Sequence, residues 1–190
     1  MKTVLDYTKK EWEKLEYSEK AGIIAKQDSI ILSLFIPMLE KAGIKYVTVT
    51  YEGAGDSGEA MDVEAFLKHE HFEDRGKNGG WNTSLTDDQR KVYQVIESKN
   101  RKKLVNLEKK FNKGFDIKTR DWQGDLVKKS LNIRDALVDM VDYDWYNNDG
   151  GCGTVILNVK DNTVIVDGEQ YYSDSHNVYE EYKLKDVVFN

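Results

Sequence analysis

KYVTVTYEGAGDSGEAMDVEAFL, from Lys45 to Leu67, is the stretch on which the fold turns. In its first third Val47, Val49 and Tyr51 alternate with Thr48 and Thr50, the period of a half-buried strand. In its last third Met61, Val63 and Ala65 alternate against Asp62 and Glu64. The glycine-rich AGDSG between them supplies a turn, so a β-hairpin with that turn at its tip is the simplest structure.

The flanks supply helices. From Thr8 to Ala42, Ile23, Ile24, Ile31, Leu34, Phe35, Met38 and Leu39 recur at the spacing of one helix face, with Gly43 at the expected C-terminal exit and Pro37 expected to kink or break the run. His69 to Ser84 has no apolar period and reads as a long loop. Thr86 is a good N-cap, followed by Asp87 and Asp88 and by Val92, Val95, Ile96, Leu104, Leu107 and Phe111 as apolar positions. Because ESKNRKK interrupts that stripe, either one long helix or two shorter ones fits. A further amphipathic helix is expected from Thr119 to Tyr143, burying Trp122, Leu126, Leu131, Leu137, Val138 and Val141, with YNNDGGCG ending it.

The C-terminal segments GTVILNVK, TVIVDGEQYY and VYEEYKLKDVVF read as three strands. The expectation is an α+β fold: a mainly antiparallel sheet, made of the first hairpin and a C-terminal three-stranded meander, with long helices on one face. The length of 190 residues favours a single domain, 1–190, with a loop and helical insertion at about 69–118.

A net charge of −6 argues against broad nucleic-acid binding, which depends on cations neutralising phosphates. Cys152 is the one cysteine, so no intrachain disulfide forms and a reducing compartment is expected, the cytoplasm of a bacterial host cell. The N-terminus carries acidic residues where a signal peptide needs an apolar core, and the run Ile30 to Leu39 is too short to span a bilayer, so no membrane association is expected.

Several constellations could carry chemistry. Glu52, Asp56 and Glu59, with Asp62, offer hard oxygen ligands for a divalent metal, although carboxylates and glycines also make an ordinary solvated hairpin tip. GAGDSG fits neither a dinucleotide fingerprint nor a P-loop, and Ser57 lacks an identifiable base. Counted from Asp144, the DYDWYNNDGGCG segment fails the EF-hand pattern, with Tyr146 third, Asp149 sixth and Val155 twelfth. Asn147, Asn148 and Asp149 then read as a turn. His69 and His71 would chelate zinc if the second strand reached them, with His176, Glu73 or Asp74 as third ligand. Cys152 reads as a packing residue. The basic run Lys99 to Gly114, with Lys102, Lys103, Lys109 and Lys110, reads as a solvated helix face or a contact for an acidic partner. Tyr171, Tyr172, Tyr179 and Tyr182 suit a protein interface or cross-strand packing.

Taken together, YEGAGDSG and WYNNDGGCGTVILNV resemble a family of small uncharacterised bacterial, phage and plasmid proteins with a YEG-G-DSG segment and a C-terminal GWENNDG-like segment. The likeness covers Gly43 to Met61 and Leu137 to Val166 and departs at Asp144, where the family tends to have glycine, and at Tyr146, where it tends to have glutamate. It implies a common fold and a setting in mobile DNA, and no activity.

The leading expectation is a non-enzymatic, acidic protein-binding module from a phage or mobile element, inhibiting a host defence protein, with no cofactor. Its interaction loops would be Glu52, Asp56, Ser57 and Glu59 with Asn147, Asn148 and Asp149. The rival is a metal-dependent hydrolase or nuclease using Glu52, Asp56 and Glu59 with His69 or His71. A third reading is a nucleic-acid binder through Lys99–Lys113. Whether the Asp56 and Asp149 turns meet decides how much weight a shared acidic site carries.

Overall fold

The computed structural model describes residues 3–75, 86–172 and 176–183. A 3-10 turn (Val4–Asp6), α1 (Lys9–Trp12) and α2 (Tyr17–Lys41) precede β1 (Tyr46–Gly55), β2 (Ser57–Ala60) and β3 (Glu64–Phe66). Next come α3 (His69–Arg75), α4 (Asp87–Gly114), the pair β4 (Ile117–Arg120) and β5 (Leu126–Lys129), and α5 (Ile133–Val138). Three strands, β6 (Asn148–Asn158), β7 (Thr163–Gln170) and β8 (His176–Lys183), complete the order.

The main sheet runs β2-β1-β6-β7-β8, with β3 also pairing β1, and β4 and β5 form a separate hairpin. The fold is therefore α+β, with an N-terminal hairpin, a C-terminal three-stranded antiparallel meander and long helices packed against the sheet. Alternation builds the core. Val47, Leu157 and Val164 form one cross-strand row and Val49, Val155 and Val166 the next, all fully or almost fully buried beneath α2, α4 and α5.

The hairpin departs from the simplest pattern in its return arm. The register gains one residue between the Tyr51↔Ala60 and Thr48↔Glu64 pairs, so the return is split into β2 and β3. One extra residue reverses which side chains face the core. Ala65 is buried, whereas Met61 stands 43% exposed.

Among the helices, α2 runs through Pro37 to Lys41 without a break, so the proline does not end it. Leu32, Phe35 and Leu39 are fully buried, but Leu34 turns outward. By length, and by a mean hydropathy of 1.4 over 18 residues, α2 meets the requirement for crossing a bilayer that its apolar run alone does not; its buried residues pack in the core described here. The middle segment is one helix, α4, capped by the Thr86 side chain, which accepts from the Gln89 amide. Leu104 and Phe111 enter the core, while Val92 and Val95 are exposed. Two amide bonds between Asn112 and the Leu131 backbone, and one from the Ile133 amide to Glu108, hold the start of α5 on α4.

The helix expected over Thr119 to Tyr143 does not form. The segment is β4, a tight turn, β5 and the short α5. Gly124 adopts φ +83 in that turn, closed by its amide bonding the Asp121 carbonyl. Trp122 and Leu126 mimic helical spacing four residues apart, yet both are largely exposed. Trp12 is buried against this hairpin, donating its indole N–H to the Asp121 carbonyl at 2.8 Å. Of the loop expected from His69 to Ser84, residues 69–75 are α3 and residues 76–84 lie outside the described residues. α3 packs on the face of the sheet opposite the long helices, its Phe72 ring stacking on Tyr46 at 4.2 Å.

Candidate functional site

The two glycine-rich segments meet. β1 and β6 pair antiparallel with Glu52↔Cys152, Gly53↔Gly151 and, across a bulge, Gly55↔Asn148. The AGDSG tip and the Asn147–Gly151 turn therefore sit side by side at one end of the sheet.

The glycines make this junction sterically feasible. A Cβ at Gly53 would lie 2.3 Å from the Trp145 carbonyl oxygen, and one at Gly58 would lie 2.6 Å from both the Trp145 ring and the Tyr146 Cβ. Residues 145 and 146 thus cross directly over the β1–β2 hairpin. Gly150 combines φ +79 with a Cβ position only 2.1 Å from the Gly53 carbonyl, so two independent constraints require glycine there. On the helix side, Gly153 and Gly168 leave room for the Tyr51 hydroxyl, which meets the Tyr143 hydroxyl at 2.5 Å. Burial first, and that hydrogen bond second, push the Tyr51 phenol far above its ordinary range.

Around this junction the structure places the expected site residues as follows. Asp56, Ser57 and Glu59 are exposed on the tip and β2, and Glu52 stands directly opposite Glu59. Asn147 donates to the Asp144 carboxylate at 3.0 Å and its carbonyl accepts from the Gly150 amide, closing the turn; Asp149 is exposed beside it. Asn148 opens β6, and its side chain lies outside the described residues.

His69 and His71 are on α3 rather than a strand, and two residues apart on a helix they point away from one another instead of forming a chelating pair. His69 instead bonds Tyr46 at 2.9 Å and lies 3.6 Å from Glu73, while His71 sits edge-on to Tyr93. Among the described residues no three His, Cys, Asp or Glu side chains come together as a metal set, which argues against the hydrolase reading.

Lys102, Lys103, Lys109 and Lys110 are exposed on α4, and Lys103 donates to the Ala42 carbonyl at the end of α2. Tyr171 donates to the Cys152 sulfur at 3.1 Å. That bond, then partial burial and the nearby Cys152, Glu169 and Glu52, push its phenol up to about 12. Tyr172 and Tyr179 are exposed, and Tyr182 pairs with Val164 through its backbone, its side chain lying outside the described residues.

A family model described as "Family of unknown function (DUF6878)" matches residues 31–84, which include YEGAGDSG but make up well under half of the chain. No curated protein and no solved structure matches it.

Two grooves flank the junction, and sequence reasoning anticipated neither. On the helix side a groove of 630 Å³ runs between α2 and residues 138–146, walled by Tyr17, Trp122, Trp145 and Tyr146 with Asp139 and Asp142. Tyr17 and Trp122 stack at 4.8 Å. Behind it the buried Asp28 carboxylate pairs with Lys129 at 2.8 Å. Burial, and next the Asp28 charge, push the Asp139 carboxyl up to about 6, with Lys129 acting in the opposite sense.

On the opposite face a trough of 450 Å³ is lined by Glu52, Cys152, Thr154, Asp167, Glu169 and Tyr179 among others. Asp167 and Glu169 share this face with Glu52 because β1, β6 and β7 are in one register. Alternation alone could have put Asp167 and Glu169 on one face of β7, but not beside Glu52.

Proposed function

We propose that this chain is a non-enzymatic protein-binding module whose contact surface is the sheet end where the two glycine-rich segments meet. The observation that carries the reading is the Gly53↔Gly151 and Gly55↔Asn148 register. It brings exposed Asp56, Asp144 and Asp149 to one end of the sheet together with Tyr146, itself 44% exposed. A partly exposed aromatic on an acidic loop surface suits a basic partner surface: the ring supplies apolar area at low entropic cost and the charges steer encounter. The close glycine packing holds both loops against one sheet, so little ordering entropy remains to be lost on binding. Origin on a phage or mobile element is what the family resemblance adds to this reading, and inhibition of a host defence protein is the role proposed for the binding.

The test is capture from a bacterial lysate on immobilised chain, repeated with Asp56→Lys, Asp144→Lys and Asp149→Lys combined. The expected result is a specific partner that is released as salt is raised and lost in the reversed variant. Equal retention by both proteins, or turnover of a substrate by the purified chain, would overturn the proposal.

A further inference from the structure

We infer that the trough on the open face of the sheet binds a primary ammonium group, seated over Thr154 and Asp167. This site is separate from the loop surface above.

The register defines what faces the trough. One row across the strands is Thr50, Thr154, Asp167 and Tyr179; the row beside it is Glu59, Glu52, Cys152 and Glu169. α3 covers the other end of this face, where Phe66, Phe72 and Ile156 cluster, and among the described residues no helix covers the acidic end.

Thr154 supplies the first observation that points to a ligand. It is 3% exposed, lines the trough, and its hydroxyl oxygen is buried with no hydrogen-bond partner among the described residues. Buried hydroxyls almost always have one, because desolvating an unpaired polar atom is costly. A donor arriving in the trough would remove that cost.

The charges supply the second. Glu52, Asp167 and Glu169 face the trough, and among the described residues none of the three side chains is ion-paired or hydrogen-bonded. Like charges on neighbouring strands repel, and a concave wall of low dielectric focuses the resulting negative potential. The fold thus holds an unfavourable arrangement that a cation would relieve.

The chemistry of that cation follows from placement. Among the described residues no three His, Cys, Asp or Glu side chains come together as a metal set, so a bare divalent ion has too few ligands here. Thr154 and Asp167 are direct cross-strand partners and offer one hydroxyl and one carboxylate from adjacent strands. An ammonium, a compact point charge with three freely directed donors, can bond both. A guanidinium's planar fork favours two coplanar oxygens of a single acceptor, so it fits less well. Tyr179, 61% exposed at the trough's edge, offers a surface for an alkyl stem. Such an ammonium could be a lysine side chain of a protein or a free polyamine.

The experiment is calorimetric titration of the full chain, at moderate salt, with four probes: Ac-Gly-Lys-Gly-amide, its arginine counterpart, its Nε-acetyl-lysine counterpart, and spermidine. Binding of the lysine peptide or of spermidine, at least about tenfold tighter than the arginine and acetylated probes, is expected; which of the two binds identifies the source. Thr154→Val, nearly isosteric, should weaken that binding at least fivefold with an unchanged circular dichroism spectrum, and Asp167→Asn should weaken it further. Asp167→Asn should also raise the melting temperature of the free chain by about 1–2 °C, as relief of repulsion requires. The triple Asp56, Asp144 and Asp149 reversal should leave the titration unchanged, which separates this site from the loop surface. No binding by any probe, equal binding of the arginine or acetylated probe, or equal binding by wild type and Thr154→Val would overturn the inference.

Discussion

The Tyr51 hydroxyl lies 2.5 Å from the Tyr143 hydroxyl, in space left open by the missing side chains of Gly153 and Gly168. Two phenols thereby tie the irregular segment after α5 to the centre of the sheet. Removing one hydroxyl by Tyr51→Phe should cost about 1 kcal/mol, and a double-mutant cycle with Tyr143→Phe should show positive coupling. Additive losses in urea denaturation would count against this bond. In a spectrophotometric titration the Tyr51 phenol should remain protonated where exposed tyrosines ionise, because burial opposes its charge.

Gly150 is the position where substitution should do the most damage. Its φ of +79 is unfavourable for any L side chain, and the added Cβ would meet backbone of Gly53 rather than a movable side chain. Gly150→Ala should therefore cost more than about 2 kcal/mol. Gly43 shares the positive φ of +72 but has open space around its Cβ position, so Gly43→Ala should cost about 1 kcal/mol. Comparing the two urea midpoints separates steric conflict from backbone strain.

Stability should fall as pH rises from about 4 to about 6. The Asp139 carboxyl is pushed up to about 6, and burial raises Asp28 as well despite its ion pair with Lys129. An unfolded aspartate titrates near about 3.9, so between these values the folded chain binds more protons than the unfolded one and stability has a negative slope with pH. Asp139→Asn should flatten that slope. The effect should stay below about 1 kcal/mol, since Asp139 also faces the water of the groove. A slope unchanged by the substitution would assign the dependence elsewhere.

Trp145→Ala should loosen the junction from above. The indole packs on Tyr51 at 5.2 Å and on Tyr146 at 5.4 Å, and its ring covers Gly58. A loss of about 2–3 kcal/mol is expected for a partly buried tryptophan. Amide exchange should quicken at Gly53 and Gly58 before the rest of β1, and uniform quickening would mean that the segment contributes only to global stability.

Much of the fold is legible along the chain because strands and capped helices are local patterns. Alternation in Val47 to Tyr51 and in Val155 to Val166 follows from which side chains must be dry, and the Thr86 cap is set by a hydroxyl three residues from an amide. The segment from Thr119 to Tyr143 misled because Trp122 and Leu126 match a helical period without being buried, while the Gly124 turn that settles the matter is only four residues long. The one-residue slip between β2 and β3 was equally hidden, since either register satisfies a short alternating run.

The site divides along the same line. From the sequence alone one can determine that Thr50 to Glu64 holds a glycine-rich turn among carboxylates, and that it fits neither a dinucleotide fingerprint nor a P-loop. Only the tertiary structure decides which residues they meet. Antiparallel pairing of β1 with β6 brings together glycines about a hundred positions apart, so their missing side chains become room for Trp145 and Tyr146. Pairing of β6 with both β1 and β7 lines Glu52 up with Glu169 across Cys152, in the row beside Thr154. A local pattern specifies how a side chain is oriented on its own strand; which side chains it faces depends on register between strands, and that is set by the whole core.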